Sequence, residues 1–318
     1  MNTETIVFLI RNLVPFLIPL TIVALGGMFS ERSGVVNIAL EGIMTFGATF
    51  GIFFLFFFPD LLPPQWMILA SMAIAVISGM LFSLFHAYAS INLKANQTIS
   101  GTALNLFAMA FHKFIARLIT GTENVSFKNV FRIEKVPFLS DIPILGDLFF
   151  KNAYLSTFIG IAILFIASFV LYKTRFGLRL RACGEHPQAA DSVGINVNRM
   201  RYAGVIISGA LAGLGGLVYI IPTTVQYNGS VSGYGFLALA VLIFGQWKPS
   251  RIFMAAAFFG LMSVISNSNG LAFFMNLGID KYYFQIMPYL MTLIVLTFTS
   301  AKSAAPKAAG EPYDQGKR

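Results

Sequence analysis

An all-α polytopic membrane fold is predicted by three properties of this chain. Only 11% of its 318 residues are charged and 57% are hydrophobic, with a mean hydropathy of +0.75; soluble domains carry about a quarter charged residues. The apolar residues come in runs close to the ~20 needed to cross a bilayer. The basic residues gather in short segments between those runs, where they hold a segment in the cytoplasm. The net charge of +9 therefore reads as topology and not as a nucleic-acid surface. The single cysteine, Cys183, rules out an intramolecular disulfide or a cysteine metal cluster. No basic n-region precedes the first apolar run, which argues against a cleaved signal peptide.

The first span is expected over 6–28, with Arg11 snorkelling and Pro15 and Pro19 bending it. The second, 35–58, is not uniformly apolar. Asn37 and Glu41 stand four apart on one helical face, and an intramembrane carboxylate points to function unless it pairs with Arg32 or caps a neighbouring helix. Gly47 and Gly51 form a GxxxG packing face. The third span is 66–88, with His86 as a packed or interfacial histidine. The fourth, 97–119, opens unusually polar, with Gln97, Thr98, Ser100, Thr102 and Asn105. Such groups either bond between helices or line a solute path. His112 and Lys113 follow and need shielding.

The stretch 120–152 mixes both signs of charge and is expected to be an external loop. Its VPFLSDIPILGDLFF portion is amphipathic or partly re-entrant, and Pro137, Asp141, Pro143 and Asp147 keep it from spanning. The fifth span is 153–172 and the sixth 202–221, where SGALAGLGG brings Gly209, Gly213 and Gly216 into a close-packing face. Residues 222–232 are uncharged and expected outside. The seventh segment, 233–247, is short; the eighth is 252–266 and the ninth 283–299. About nine spans result (eight to ten), with the N-terminus outside and residues 302–318 as a disordered cytoplasmic tail. The transmembrane domain covers 1–301.

Between the fifth and sixth spans lies the basic loop 173–201, with Lys173, Arg175, Arg179, Arg181, Arg199 and Arg201. Its middle reads as a short helix, with Pro187 suited to a first turn and Gly194 to a C-terminal stop. A short cytoplasmic helix between two spans is a natural docking element for a soluble partner. The chain lacks a GxxxxGK[ST] phosphate loop, a dinucleotide GxGxxG, HExxH, paired zinc cysteines and GxSxG. No catalytic constellation is legible, so an enzyme is not expected; a transporter or channel subunit is.

Four blocks carry a resemblance. They are SGVVNIALEGIM at 33–44, NQTISGTALN at 96–105, the run from Gly184 to Gly216, and GYGFLALAVLIFG at 233–245 followed by Pro249. In this order they resemble the permease subunits of bacterial ABC importers for simple sugars and nucleosides, within the branched-chain amino acid and ribose permease superfamily. Glu41 and GTALN lean towards the nucleoside- and riboflavin-type branch.

The resemblance implies a multi-pass protein of the bacterial inner membrane, in contact with lipid, that works with two permease subunits, identical or paralogous. Cytoplasmic ATPases hold the ATP and Mg, and an external binding protein delivers solute; this chain would bind no cofactor and no metal. By position, Gly184, Glu185, His186, Pro187, Ala189, Ala190, Asp191 and Gly194 would form the coupling helix that docks the ATPase. Asn37, Glu41, Gln97, Thr98, Thr102 and Asn105 would lie along the solute pathway. The stretch 273–281 matches no block. The competing class is a stand-alone ion-coupled carrier or channel using Glu41, His112 and Lys113.

Overall fold

The structure is a computed structural model that describes residues 3–142, 146–267, 286, 290, 293, 297 and 304–314. The first helix, α1 (Thr3–Arg32), carries Pro15 and Pro19 inside it and runs one turn past its expected end. Gly34, at φ +99°, then turns the chain. The second helix, α2 (Leu40–Phe57), begins later than expected. Asn37 accounts for the delay: its Oδ1 accepts the Ala39 N–H at 3.1 Å, a local bond that competes with helix formation. Helix α3 (Pro64–Ala87) starts on Pro64 and passes into a π-type turn, Tyr88–Asn92. Asn96 caps α4 (Gln97–Thr120) by accepting the Thr98 and Ile99 N–H groups at 2.9 and 3.1 Å, and Gly121 in the left-handed region ends it.

Among the described residues, the segment between α4 and the next helix holds no helix long enough to span. Short strands β1 (Val125–Ser126), β2 (Arg132–Lys135) and β3 (Lys151–Tyr154) lie in it, with β2 and β3 antiparallel. Helix α5 (Leu155–Lys173) follows. The basic stretch expected as a loop is mostly helical. In α6 (Arg175–Glu185), Thr174 caps Gly177 N–H at 3.1 Å and Leu180 and Cys183 are buried; its Arg and Leu residues favour a helix. The predicted short helix is present as α7 (Pro187–Ser192), with Pro187 in its first turn and Gly194 at φ +82° just beyond it.

Helix α8 (Val197–Thr223) is the hub, packing on α1, α2 and α3. Its small residues allow this. A Cβ on Gly47 would sit 2.6 Å from the Gly213 carbonyl oxygen, and one on Gly79 2.9 Å from the Gly213 Cα. Gly209 lies against Ser83 and Gly79, Gly51 against Leu217, and Gly216 directly on the Met44 carbonyl. Gly216→Val is expected to cost at least about 1–3 kcal/mol, the usual penalty of overpacking a tight core. It should lower both the yield of folded protein and its melting midpoint in detergent; a variant melting like the parent would remove the close approach as a requirement.

The segment after α8, expected outside, runs into the protein instead. Its strand β4 (Gln226–Tyr227) pairs antiparallel with β1. Tyr227 is buried and donates its hydroxyl to Thr45 O at 3.1 Å, and Val231 is fully buried. Only then does α9 (Tyr234–Phe244) begin. Eleven residues rise about 16 Å, half of a hydrocarbon core of about 30 Å. The helix alone is thus too short to span, and extended chain packed into the protein precedes it. Irregular backbone at that depth is tolerated because protein surrounds it. Helix α10 (Pro249–Asn267) follows.

Among the described residues seven helices, α1 to α5 without interruption plus α8 and α10, are long and apolar enough to span, and α9 is a shorter apolar helix. The ninth expected span, 283–299, lies outside the described residues apart from four positions, as does 273–281. The expected disordered tail is corrected in part. Residues 304–314 lie against the helical body, with Pro306 and Ala308 buried; backbone hydrogen bonds to the body, which composition does not register, hold them there.

Candidate solute path and docking helix

The linker 33–39 and the first turn of α2 are fastened by the polar residues that the sequence singles out. Gln97 Oε1 accepts Val36 N–H at 2.7 Å. Asn37 Nδ2 donates to Ser208 Oγ at 2.9 Å. Asn105 accepts Gly42 N–H at 2.7 Å and donates to Ile38 O at 2.9 Å. All three side chains are buried. Glu41 is buried too, and its carboxylate accepts Gly233 N–H at 2.8 Å and Gly235 N–H at 2.6 Å. It caps the start of α9, where unsatisfied amides and the positive helix end meet. Four of the six residues expected along a pathway therefore hold backbone, and Glu41 takes the capping alternative.

Thr98 and Thr102 are exposed, and they belong to a larger pattern on α4. Of the seven spans α4 has the lowest mean hydropathy, 1.2, and is also the least covered, with 22% of its apolar window buried. The similarly open α5, 28% buried, has a hydropathy of 2.3, as lipid contact demands. On α4 one exposed stripe runs through Thr98, Thr102, Leu106, Met109, Lys113 and Arg117 at helical spacing. Its far end is charged: Lys113 and Arg117 both pair with Glu123, at 3.3 and 2.7 Å. His112 faces inward, with Nδ1 at 3.0 Å from Thr49 Oγ1 and its ring against Tyr227.

At the other end of the bundle the turns of the spans meet α6 and α7. Trp247, after α9, donates Nε1–H to Glu31 at 2.6 Å. Arg32 reaches Trp247 O at 3.3 Å and Glu185 at 3.4 Å. Gly184 is buried, and a Cβ there would crowd the Arg32 carbonyl group. Pro187 and Ala190 turn inward, Asp191 is half-buried, and His186, Ala189 and Gly194 are exposed. The sequence reading missed Val193, 74% exposed at the end of α7. An isolated apolar residue between a polar helical turn and its stop glycine is the signal that marks it. Cys183 is fully buried beneath α7, and burial pushes its thiol up to about 11. Among the described residues no three His, Cys, Asp or Glu side chains gather as metal ligands.

Comparison with known proteins agrees with this architecture. The chain is 46% identical over 305 residues to Guanosine ABC transporter permease protein NupQ of Bacillus subtilis, covering 94% of each chain. It is 38% identical over 319 residues to Nucleoside ABC transporter permease protein NupC of Lactococcus lactis, covering 99% of each. A second Lactococcus lactis protein, Nucleoside ABC transporter permease protein NupB, is 27% identical over 262 residues, covering 77% of this chain and 68% of that one. Residues 9–296 match the family described as Branched-chain amino acid transport system / permease component. A multi-pass inner-membrane chain with this match along nearly its whole length belongs to that family of ABC transporter permeases.

Proposed function

We propose that this chain is the membrane-spanning subunit of an importer that moves nucleosides, with solute passing along the exposed stripe of α4. The observation that carries the path is the polarity of an uncovered span: Thr98, Thr102, Lys113 and Arg117 cannot rest in lipid without cost. They instead face a second permease and the channel between the two. The nucleoside assignment is supported by the names of NupQ and NupC. That NupC and NupB come from one strain supports a paralogous second permease rather than a second copy.

The basic end of the bundle is cytoplasmic by its charge. There α7 seats a separate ATPase, which holds ATP and Mg while this chain binds neither. An external binding protein supplies the solute. Closure of the ATPases on ATP favours one arrangement of the helices over the other, and hydrolysis reverses the preference. An ion-coupled carrier would need an intramembrane charge free to load and unload. Glu41 is committed to the amides of α9, and Lys113 to Glu123.

The test is uptake of tritiated guanosine into proteoliposomes holding this chain with its co-purifying subunits. Uptake is expected only with ATP inside the ATPase compartment. Uptake by this chain alone, driven by a proton or sodium gradient, would replace the importer reading with a carrier. For the path itself, Thr102→Trp is expected to reduce uptake at least about tenfold, as the loss of access to a narrow site does. Thr102→Ser should stay near the parent, and ATPase co-purification should be unaffected in both. Equal uptake by the tryptophan variant would move the path off α4.

A further inference from the structure

We propose that the C-terminal segment 304–314 is a positioning strap that ties the docking helix to the turns of the membrane spans, with Arg201 as its anchor. This rests on α7 being the ATPase seat.

Two backbone donors of the strap stitch the docking region to the α1–α2 turn. Ala308 N–H donates to Gly184 O at 2.9 Å and Gly310 N–H to Gly34 O at 3.2 Å. Gly184 and Gly34 are neighbours, since a Cβ on the former would lie 3.3 Å from the Gly34 nitrogen. The strap therefore bridges the residue three before α7 and the start of the linker that Asn37, Gln97 and Asn105 hold. Its ends reach further. Ala304 N–H donates to Gln246 Oε1 at 2.9 Å, in the turn between α9 and α10. Asp314 pairs with Lys94 at 3.2 Å, in the loop before α4.

Arg201, on the first turns of α8, explains why the strap lies where it does. Its side chain is buried, with 1% of the residue exposed. Nη1 donates to Glu311 O at 2.9 Å, while Nε and Nη2 have no hydrogen-bond partner. The guanidinium also faces the Tyr313 ring, 5.9 Å from its centroid. Without the strap a buried cation would lose its backbone acceptor and its aromatic face together. Tyr313 in turn packs on the cluster of Cys183, Ala190 and Val197, which supports α7 from below. A push on α7 thus reaches the linker 33–39 by two routes, through α6 along the chain and through the strap across it. A docking helix held at one point would pivot; one held at two moves as a body with what it is tied to.

Cys183 reports on the strap because it is buried under it and its thiol, pushed up to about 11, stays protonated near neutral pH. In membranes containing the assembled importer, three variants are compared with the parent: removal of residues 306–318, Tyr313→Ala and Tyr313→Phe. The measurements are maleimide labelling of Cys183, ATPase co-purification, and ATP hydrolysed per tritiated guanosine moved.

The truncation and Tyr313→Ala are expected to label at least about tenfold faster, as local opening exposes the thiol. Both should keep the ATPase bound and raise the ATP consumed per guanosine several-fold. Tyr313→Phe should match the parent. Unchanged labelling would overturn the packing of the strap; faster labelling with an unchanged coupling ratio would overturn its positioning role. Because Tyr313→Ala leaves the backbone bonds in place, it serves where the truncated chain fails to insert. Failure of the parent chain itself to retain an ATPase would tell against α7 as the seat, while the labelling comparison would still judge the strap.

Discussion

Glu41→Ala is expected to lower stability by on the order of 2–6 kcal/mol, because it strands a part-buried and a buried N–H group that a carboxylate now accepts, at about 1–3 kcal/mol each. Gly233 and Gly235 donate to the two carboxylate oxygens at 2.8 and 2.6 Å. Gly235 also lies directly against the Glu41 backbone, so α9 starts in contact with α2. The same carboxylate also meets the positive end of α9, a favourable placement. Glu41→Gln keeps one acceptor oxygen and should lose roughly half as much. The measurement is the melting midpoint in detergent beside guanosine uptake. A pathway carboxylate would behave differently: its alanine variant would melt like the parent and change only which solutes are moved. That outcome would return Glu41 to the pathway.

Val193→Glu is expected to abolish uptake while leaving the protein inserted and folded. Val193 is 74% exposed at the end of α7, outside the helices long enough to span. If a partner buries it, such a side chain is worth about 1.5–3 kcal/mol, and a carboxylate in its place adds an unpaired charge to a desolvated contact. ATPase co-purification should fall at least about thirtyfold, which is the loss corresponding to 2 kcal/mol. Deleting 185–194 should have the same effect with membrane insertion retained. Full uptake in either variant would sink the docking assignment. Stability offers the contrast with Glu41: Val193 is 74% exposed among the described residues, so its variant should melt like the parent.

Most of the membrane architecture was legible from residue order alone. Spans show in hydropathy, because a bilayer demands about 20 apolar residues wherever the chain sits. The short helix α7 showed in Pro187 and Gly194, whose backbone preferences are local. The small residues of α8 announced close packing, and Gly213 and Gly216 do lie on the backbone of neighbouring helices. The ATP-driven importer class was legible from four blocks in order, and the family match over residues 9–296 agrees with it.

What residue order left open were the partners of each polar group. Asn37, Glu41, Gln97 and Asn105 look alike in a hydropathy profile to residues that touch solute. Only the fold shows them turned onto Ser208, Gly233, Val36 and Gly42, each distant in the chain. The inward run of 224–233 was hidden for the same reason: a polar, glycine-rich stretch reads as outside unless protein surrounds it. Residues 304–314 read as disordered because backbone amides carry no compositional signature, yet two of them bond Gly184 and Gly34. The sequence by itself determined the seven long apolar helices found among the described residues and which loops are basic, since those follow from transfer free energies summed along a run. Tertiary structure alone decided which polar groups are buried and hold backbone and which stay exposed, because hydrogen-bond satisfaction depends on neighbours that the chain brings together only on folding.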